Sequence, residues 1–145
     1  MALWFKTSVR FDKIQENGTV KKVTKPYLVN ALSFTEAEAR IIEEVTPFIS
    51  GEYSVEAVKK ANIAELFEDE GGSDKWYKVK VNFITLDERT ATEKRKATNI
   101  LVQATDLQDA LQNFLKGMKG TVSDYEIASI SETPILEVFK LKTNN

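Results

Sequence analysis

The opening strand alternates. Phe5, Val9 and Phe11 fall on one parity, while Trp4, Lys6, Ser8 and Arg10 fall on the other, the period-two pattern of a half-buried strand. Asn17-Gly18 then predicts a type I′ hairpin turn, and Val20 to Ala31 read as the returning strand. At Ser33 the period changes. Ser33-Phe34-Thr35-Glu36 fits a capping box, and Phe34, Ala37, Ile41 and Val45 form one apolar helical stripe that Pro47 ends. A further strand is expected within Tyr53 to Phe67.

The second half repeats this pattern. Trp76, Lys78, Val81 and Phe83 match Trp4, Lys6, Val9 and Phe11 at an offset of 72. Leu28-Val29 and Ala31 match Leu101-Val102 and Ala104 at an offset of 73. Tyr53, Ile63, Glu65 and Phe67 match Tyr125, Ile135, Glu137 and Phe139, again at 72. The returning strand is Glu93 to Ala104, after a turn somewhere in Asp87 to Thr92 that has no glycine. The second helix starts at Asp106, carries Leu107, Ala110, Leu111, Phe114, Leu115 and Met118 on its apolar stripe, and loosens at Gly117 and Gly120. Pro134 fits a strand only at a sheet edge or a bulge.

The expected fold is therefore α+β, a tandem internal duplication of a β-β-α-β unit, with antiparallel sheet and two helices packed on one face. The repeats span 1–67 and 76–139, an acidic glycine-containing linker spans 68–75, and a tail follows at 140–145. The expected strand order within a unit is second, first, third, because a right-handed crossover can step over one strand.

Composition narrows the chemistry. The chain has 42% hydrophobic and 29% charged residues, which suits a globular domain with its own core. It has no cysteine and no histidine, which removes disulfides, thiolate nucleophiles and the commonest general base and metal ligand. Neither a secretory leader nor an apolar run of membrane-spanning length is evident, so a cytoplasmic protein without a membrane partner is the expectation. The net charge is −2, which argues against a duplex-DNA binder. That charge is uneven: residues 1–32 carry +4 and residues 76–104 carry +3, so the cations gather on the two hairpins.

If the apolar parity packs beneath the helices, the other face of each hairpin presents Trp4, Lys6, Arg10, Lys22 and Asn30 in the first repeat. It presents Trp76, Lys78, Lys80, Arg95 and Gln103 in the second. Tryptophan offers a stacking platform, and lysine or arginine offers charge-assisted bonds to phosphate. These ten residues are the candidate ligand-binding set, in two half-sites. The same face also suits a subunit interface in a homo-oligomer, since tryptophan and arginine are enriched there. Glu65 and Glu137 fit outward-facing strand carboxylates better than an acid pair. Glu68 to Asp74 lacks the ligand spacing of a calcium loop and reads as linker. No phosphate loop, nucleophile elbow or metal box is present. No catalytic residue, metal site or cofactor is assigned.

Trp4-Phe5-Lys6, the run Lys21 to Val29, the run Leu32 to Arg40, and Asp124 to Ser129 resemble one domain-of-unknown-function family, the one numbered forty-four ninety-four, of Bacteroides-group bacteria and their phages. The resemblance runs across nearly the whole chain. It implies a small cytoplasmic protein, often associated with phages or mobile elements, with no assigned activity. Together the twinned face and this resemblance point to a non-enzymatic binder of a small anionic nucleotide, such as a phage sponge for a host immune signal. The alternative is an accessory module that docks a protein partner or single-stranded nucleic acid.

Overall fold

The computed structural model describes residues 3–49 and 51–140. It contains β1 (Leu3–Ile14), β2 (Val20–Ala31), α1 (Phe34–Val45), β3 (Tyr53–Ala61), β4 (Glu65–Phe67), β5 (Lys75–Asp87), β6 (Thr92–Ala104), α2 (Leu107–Gly117), β7 (Asp124–Thr133) and β8 (Glu137–Phe139). The fold is α+β. Two four-stranded mixed sheets form, ordered β3-β1-β2-β8 and β4-β6-β5-β7. In each, the three long strands are antiparallel and the order second, first, third is the one expected.

The short strands change the domain picture. The Tyr53–Phe67 run is two strands, and only β3 stays on the sheet of β1. β4 pairs in parallel with β6, and β8 pairs in parallel with β2. The chain thus divides into one unit of 1–61 with 135–145 and another of 62–134, rather than at the expected boundaries of 67 and 76. Pro134 lies in the break between β7 and β8. Pro26, within β2, accepts at its carbonyl from the amide of Leu136 at 2.9 Å, just before the three-residue pairing with β8 begins.

In the first unit α1 covers one sheet face. Ala37, Ile41 and Val45 pack on Phe5, Val9, Tyr27, Val29 and Ala31. Burying each large side chain contributes roughly 1.5–3 kcal/mol. Phe34 is the exposed end of the stripe, its ring edge-on to Phe5 at 4.9 Å. The Ser33 hydroxyl accepts from the Glu36 amide at 3.1 Å, which satisfies one orphan donor of the first turn. Arg40, on the inner flank of the helix, donates to the carbonyls of Asn30 at 2.7 Å and Lys140 at 2.8 Å, tying α1 to β2 and to the chain beyond β8. Phe139 stacks on Tyr27 at 5.9 Å.

The second unit uses the same devices. Asp106 caps α2 by accepting from the Asp109 amide at 2.8 Å. Asn113 donates to the Gln103 carbonyl at 3.0 Å, where the first unit uses Arg40 on Asn30. Phe114 and Met118 pack on Val79, Val81, Ile100 and Val102. Phe67 of β4 lies against Gly117, where an added Cβ would come within 2.5 Å of its ring. Gly117 therefore permits a close approach rather than loosening the helix end.

Both hairpin turns differ in detail from expectation. At the first, only Gly18 takes a positive φ (84°), and the Gly18 amide donates to the Gln15 carbonyl at 3.0 Å. This is the longer loop with one left-handed residue, not a two-residue type I′ turn. At the second, Ala91 carries the positive φ (56°) that a glycine would more cheaply supply. The 68–75 segment is not a loose linker. Asp69 Oδ1 accepts from the Gly71 amide at 3.3 Å, its other carboxylate oxygen accepts from the Ser73 hydroxyl, and Lys75 already begins β5.

Candidate functional site

Strand pairing fixes which side chains share a face, because directly paired residues point the same way. In the first unit Trp4 pairs with Asn30, Lys6 with Leu28, Arg10 with Thr24, and Asp12 with Lys22. In the second, Trp76 pairs with Gln103, Lys78 with Leu101, Lys80 with Asn99, and Ile84 with Arg95. All ten candidate residues thus lie on the helix-averted faces, five to each unit.

Strand β3 adds a cation the sequence reading passed over. Lys59 pairs directly with Lys6 on the same face. A bulge between the Ser8–Ala57 and Val9–Val55 pairs leaves Glu56 as the extra residue and reverses the parity of everything after it. Strict alternation from Tyr53 and Val55 would send Lys59 beneath the helix. In β7 the extra residue is Ala128, between the Lys80–Ser129 and Val81–Ile127 pairs. There the reversal brings Ser129 and Ser131 opposite Lys80 and Lys78 on the helix-averted face.

The faces are not the open aromatic platforms expected. Leu28 and Leu101, in the middle of each, are 0% exposed, and Trp76 is 6% exposed. Trp76 therefore has little ring to offer a base, and Trp4 is only half-buried. Gln103 is spent on structure: its carbonyl oxygen accepts from the Asp69 amide at 2.9 Å and its amide donates to the Ser73 carbonyl at 2.7 Å. It pins the 68–74 segment. Asn99, its neighbour on the face, holds the Asn62 carbonyl at 3.0 Å in the same manner. Arg95 is neutralised by Glu126 at 2.8 Å and Glu93 at 3.5 Å. The Arg95 hydrogen bond, aided by Asn82, holds the Glu126 carboxyl below its ordinary value. Asn30 donates to the Leu3 carbonyl at 3.3 Å.

What survives is cationic. Lys6, Lys59, Lys78 and Lys80 are exposed, and among the described residues none of them is in an ion pair. Arg10 and Lys22 line a shallow cleft of about 120 Å³ with Asp12, Glu52 and Ser54, where acids partly offset them. Among the described residues no group of three or more Asp or Glu lies close enough to hold a metal ion. Nor is any helix among them long and apolar enough to cross a membrane. The chemistry on offer is electrostatic binding by ammonium groups backed by serine hydroxyls.

No curated protein and no solved structure matches the chain. One family does match, over residues 3–141, and its description is a domain of unknown function, DUF4494.

Proposed function

We propose that the chain, which belongs to the DUF4494 family of domains of unknown function, is a non-enzymatic protein that binds an anionic, nucleotide-class ligand. The family assigns no activity, so the argument rests on the site. The Lys6–Lys59 pair carries it. Two like charges directly opposite on a strand pair are destabilising, and among the described residues neither lysine is in an ion pair. A bound phosphate placed between the two ammonium groups would turn that repulsion into two charge-assisted bonds. Half-buried Trp4, on the adjacent pair of the same face, supports a ligand that bears a base as well as a phosphate. The lack of histidine and cysteine supports sequestration rather than turnover. The ligand would be held in the cytoplasm.

The test is thermal unfolding of the full chain at low salt with nucleoside monophosphates, cyclic nucleotides and short oligonucleotides. A ligand at about 100 times its Kd adds about 2.7 kcal/mol and raises Tm by several degrees. Lys6→Ala with Lys59→Ala should abolish the rise given by a nucleoside monophosphate, and the recovered ligand should be chemically unchanged. If no nucleotide moves Tm, the reading is wrong.

We also infer that the two units descend from one duplicated segment. Supporting this are their identical strand order, their bulge residues Glu56 and Ala128 spaced 72 apart, and their caps Ser33 and Asp106 spaced 73 apart. On that account the last strand of each repeat has been exchanged. β4, which ends the first repeat, completes the sheet of the second, and β8 does the reverse.

A further inference from the structure

Along β5 and β7 of the second unit, Lys78 faces Ser131 and Lys80 faces Ser129 on the helix-averted face. All four are exposed, and among the described residues neither lysine is in an ion pair and neither serine hydroxyl is hydrogen-bonded. Each row combines one ammonium and one hydroxyl, a donor set that fits one phosphate. The rows are two residues apart along a strand, hence about 6.7 Å apart. Lysine stems are long and flexible, so they do not define that spacing. Serine hydroxyls stand one bond from Cβ, so their spacing follows that of the strand. The first unit has no such ruler, since Ala57 and Lys59 pair with Ser8 and Lys6.

Resting on the nucleotide-binding reading above, we infer that the ligand carries successive phosphates separated by a nucleoside, as in an extended single-stranded oligonucleotide. The two Lys–Ser rows of β5 and β7 each take one of these phosphates. The phosphates of a nucleoside diphosphate share a single bridging oxygen and lie too close together to occupy both rows. Phosphates on either side of a nucleoside are held apart by a whole sugar and match the wider step. The negative charge of such a strand complements the lysines, and exposed serine edges leave its bases free of specific readout.

The experiment is calorimetric titration of the full chain with three probes: a thymidine trinucleotide with two internal phosphodiesters, thymidine diphosphate, and inorganic pyrophosphate. The trinucleotide should bind at least about tenfold tighter than either diphosphate probe, with an affinity that falls as salt rises. Ser129→Ala with Ser131→Ala keeps every charge and should cost the trinucleotide, which uses both hydroxyls, about tenfold, and each diphosphate probe, held in one row, clearly less. An unchanged melting temperature of the free variant confirms that it folds. Equal affinity for the three probes, or an unaffected serine variant, overturns the spacing argument. It leaves the broader reading standing if Lys6→Ala with Lys59→Ala still removes binding. If no probe binds, both fall together.

Discussion

Replacing Gly117 by alanine sets two effects against each other whose sizes can be estimated. Alanine is favoured over glycine inside a helix by about 0.8–1 kcal/mol. Gly117 is the last residue of α2 and has no positive φ, so the backbone would accept the substitution. The new methyl, however, would meet Phe67 Cδ2 at 2.5 Å, Cε2 at 2.6 Å and Cγ at 2.9 Å. These are atoms of a rigid ring wedged against Phe114 at 6.2 Å, not the end of a flexible chain. Overpacking of this kind costs about 1–3 kcal/mol. Gly117→Ala alone should therefore be destabilising, by up to about 2 kcal/mol after the helix gain is deducted. With Phe67→Ala as the background the clash disappears, and the same substitution should stabilise by close to the full helix increment, about 0.8 kcal/mol. Urea unfolding of the four proteins, followed by far-ultraviolet circular dichroism and by Trp76 fluorescence in a Trp4→Phe background, gives the coupling energy of the cycle. Phe67→Leu serves as a milder background. If Gly117→Ala stabilises equally whether or not the ring is present, then β4 does not press on α2 and the packing assigned to the second unit is incorrect.

Ala91→Gly should stabilise by about 0.5–1 kcal/mol, because it relieves the left-handed strain at φ 56°; a lower urea midpoint would contradict that. Gln103→Ala removes both side-chain bonds that hold Asp69 and Ser73, and should cost about 1–3 kcal/mol and open residues 68–74 to limited proteolysis. Asp69, Asp87 and Glu126 are each held below their ordinary values, chiefly by hydrogen bonds from Ser73, Lys94 and Arg95 respectively. Their folded-state pKa values are depressed, so their contribution is fully present above the unfolded carboxylate range and lost as pH falls through the folded values. Tm should therefore hold from neutrality down to about pH 5 and decline below about pH 4, and Glu126→Gln should flatten that decline. Thr7→Val should be tolerated within about 1 kcal/mol, judged by Tm, because its hydroxyl makes one 3.2 Å bond to the Tyr27 carbonyl and Val79 stands at the matching place in the second unit.

The elements set by local physics were readable in the chain. Ser33 and Asp106 cap their helices because a short polar acceptor before an apolar stripe is needed wherever a helix begins. The faces of β1 and β5 follow from alternation alone. Reading failed where non-local geometry decides. The bulges at Glu56 and Ala128 have no compositional signal, yet each reverses the parity of its strand, so Lys59, Ser129 and Ser131 escaped notice. β4 and β8 are three-residue parallel strands with matching sequences, so nothing in Glu65–Phe67 says which sheet it will join. Gln103 carries a donor and an acceptor, which suits a ligand, a loop or a neighbouring strand equally. The fold gives it to the 68–74 loop. Leu28 and Leu101 did carry a usable signal, since an apolar residue among lysines and amides on an outward parity suggests a covered position.

The reach of β8 back to β2 sets a timetable for synthesis. The second unit is one continuous stretch, 62–134, whereas the first is complete only when Phe139 has been made, 78 positions after Ala61 (139 less 61). At about 5–20 residues per second, that is a delay of about 4–16 s. Through that interval the Tyr27–Val29 edge of β2 lacks its parallel partner, and Tyr27 lacks the Phe139 ring. An unpaired edge beside apolar side chains invites contact with a neighbouring nascent chain. Lys21, Lys22 and Lys25, farther along the same strand, put positive charge beside that edge, the usual device by which an edge is kept from pairing with a like chain.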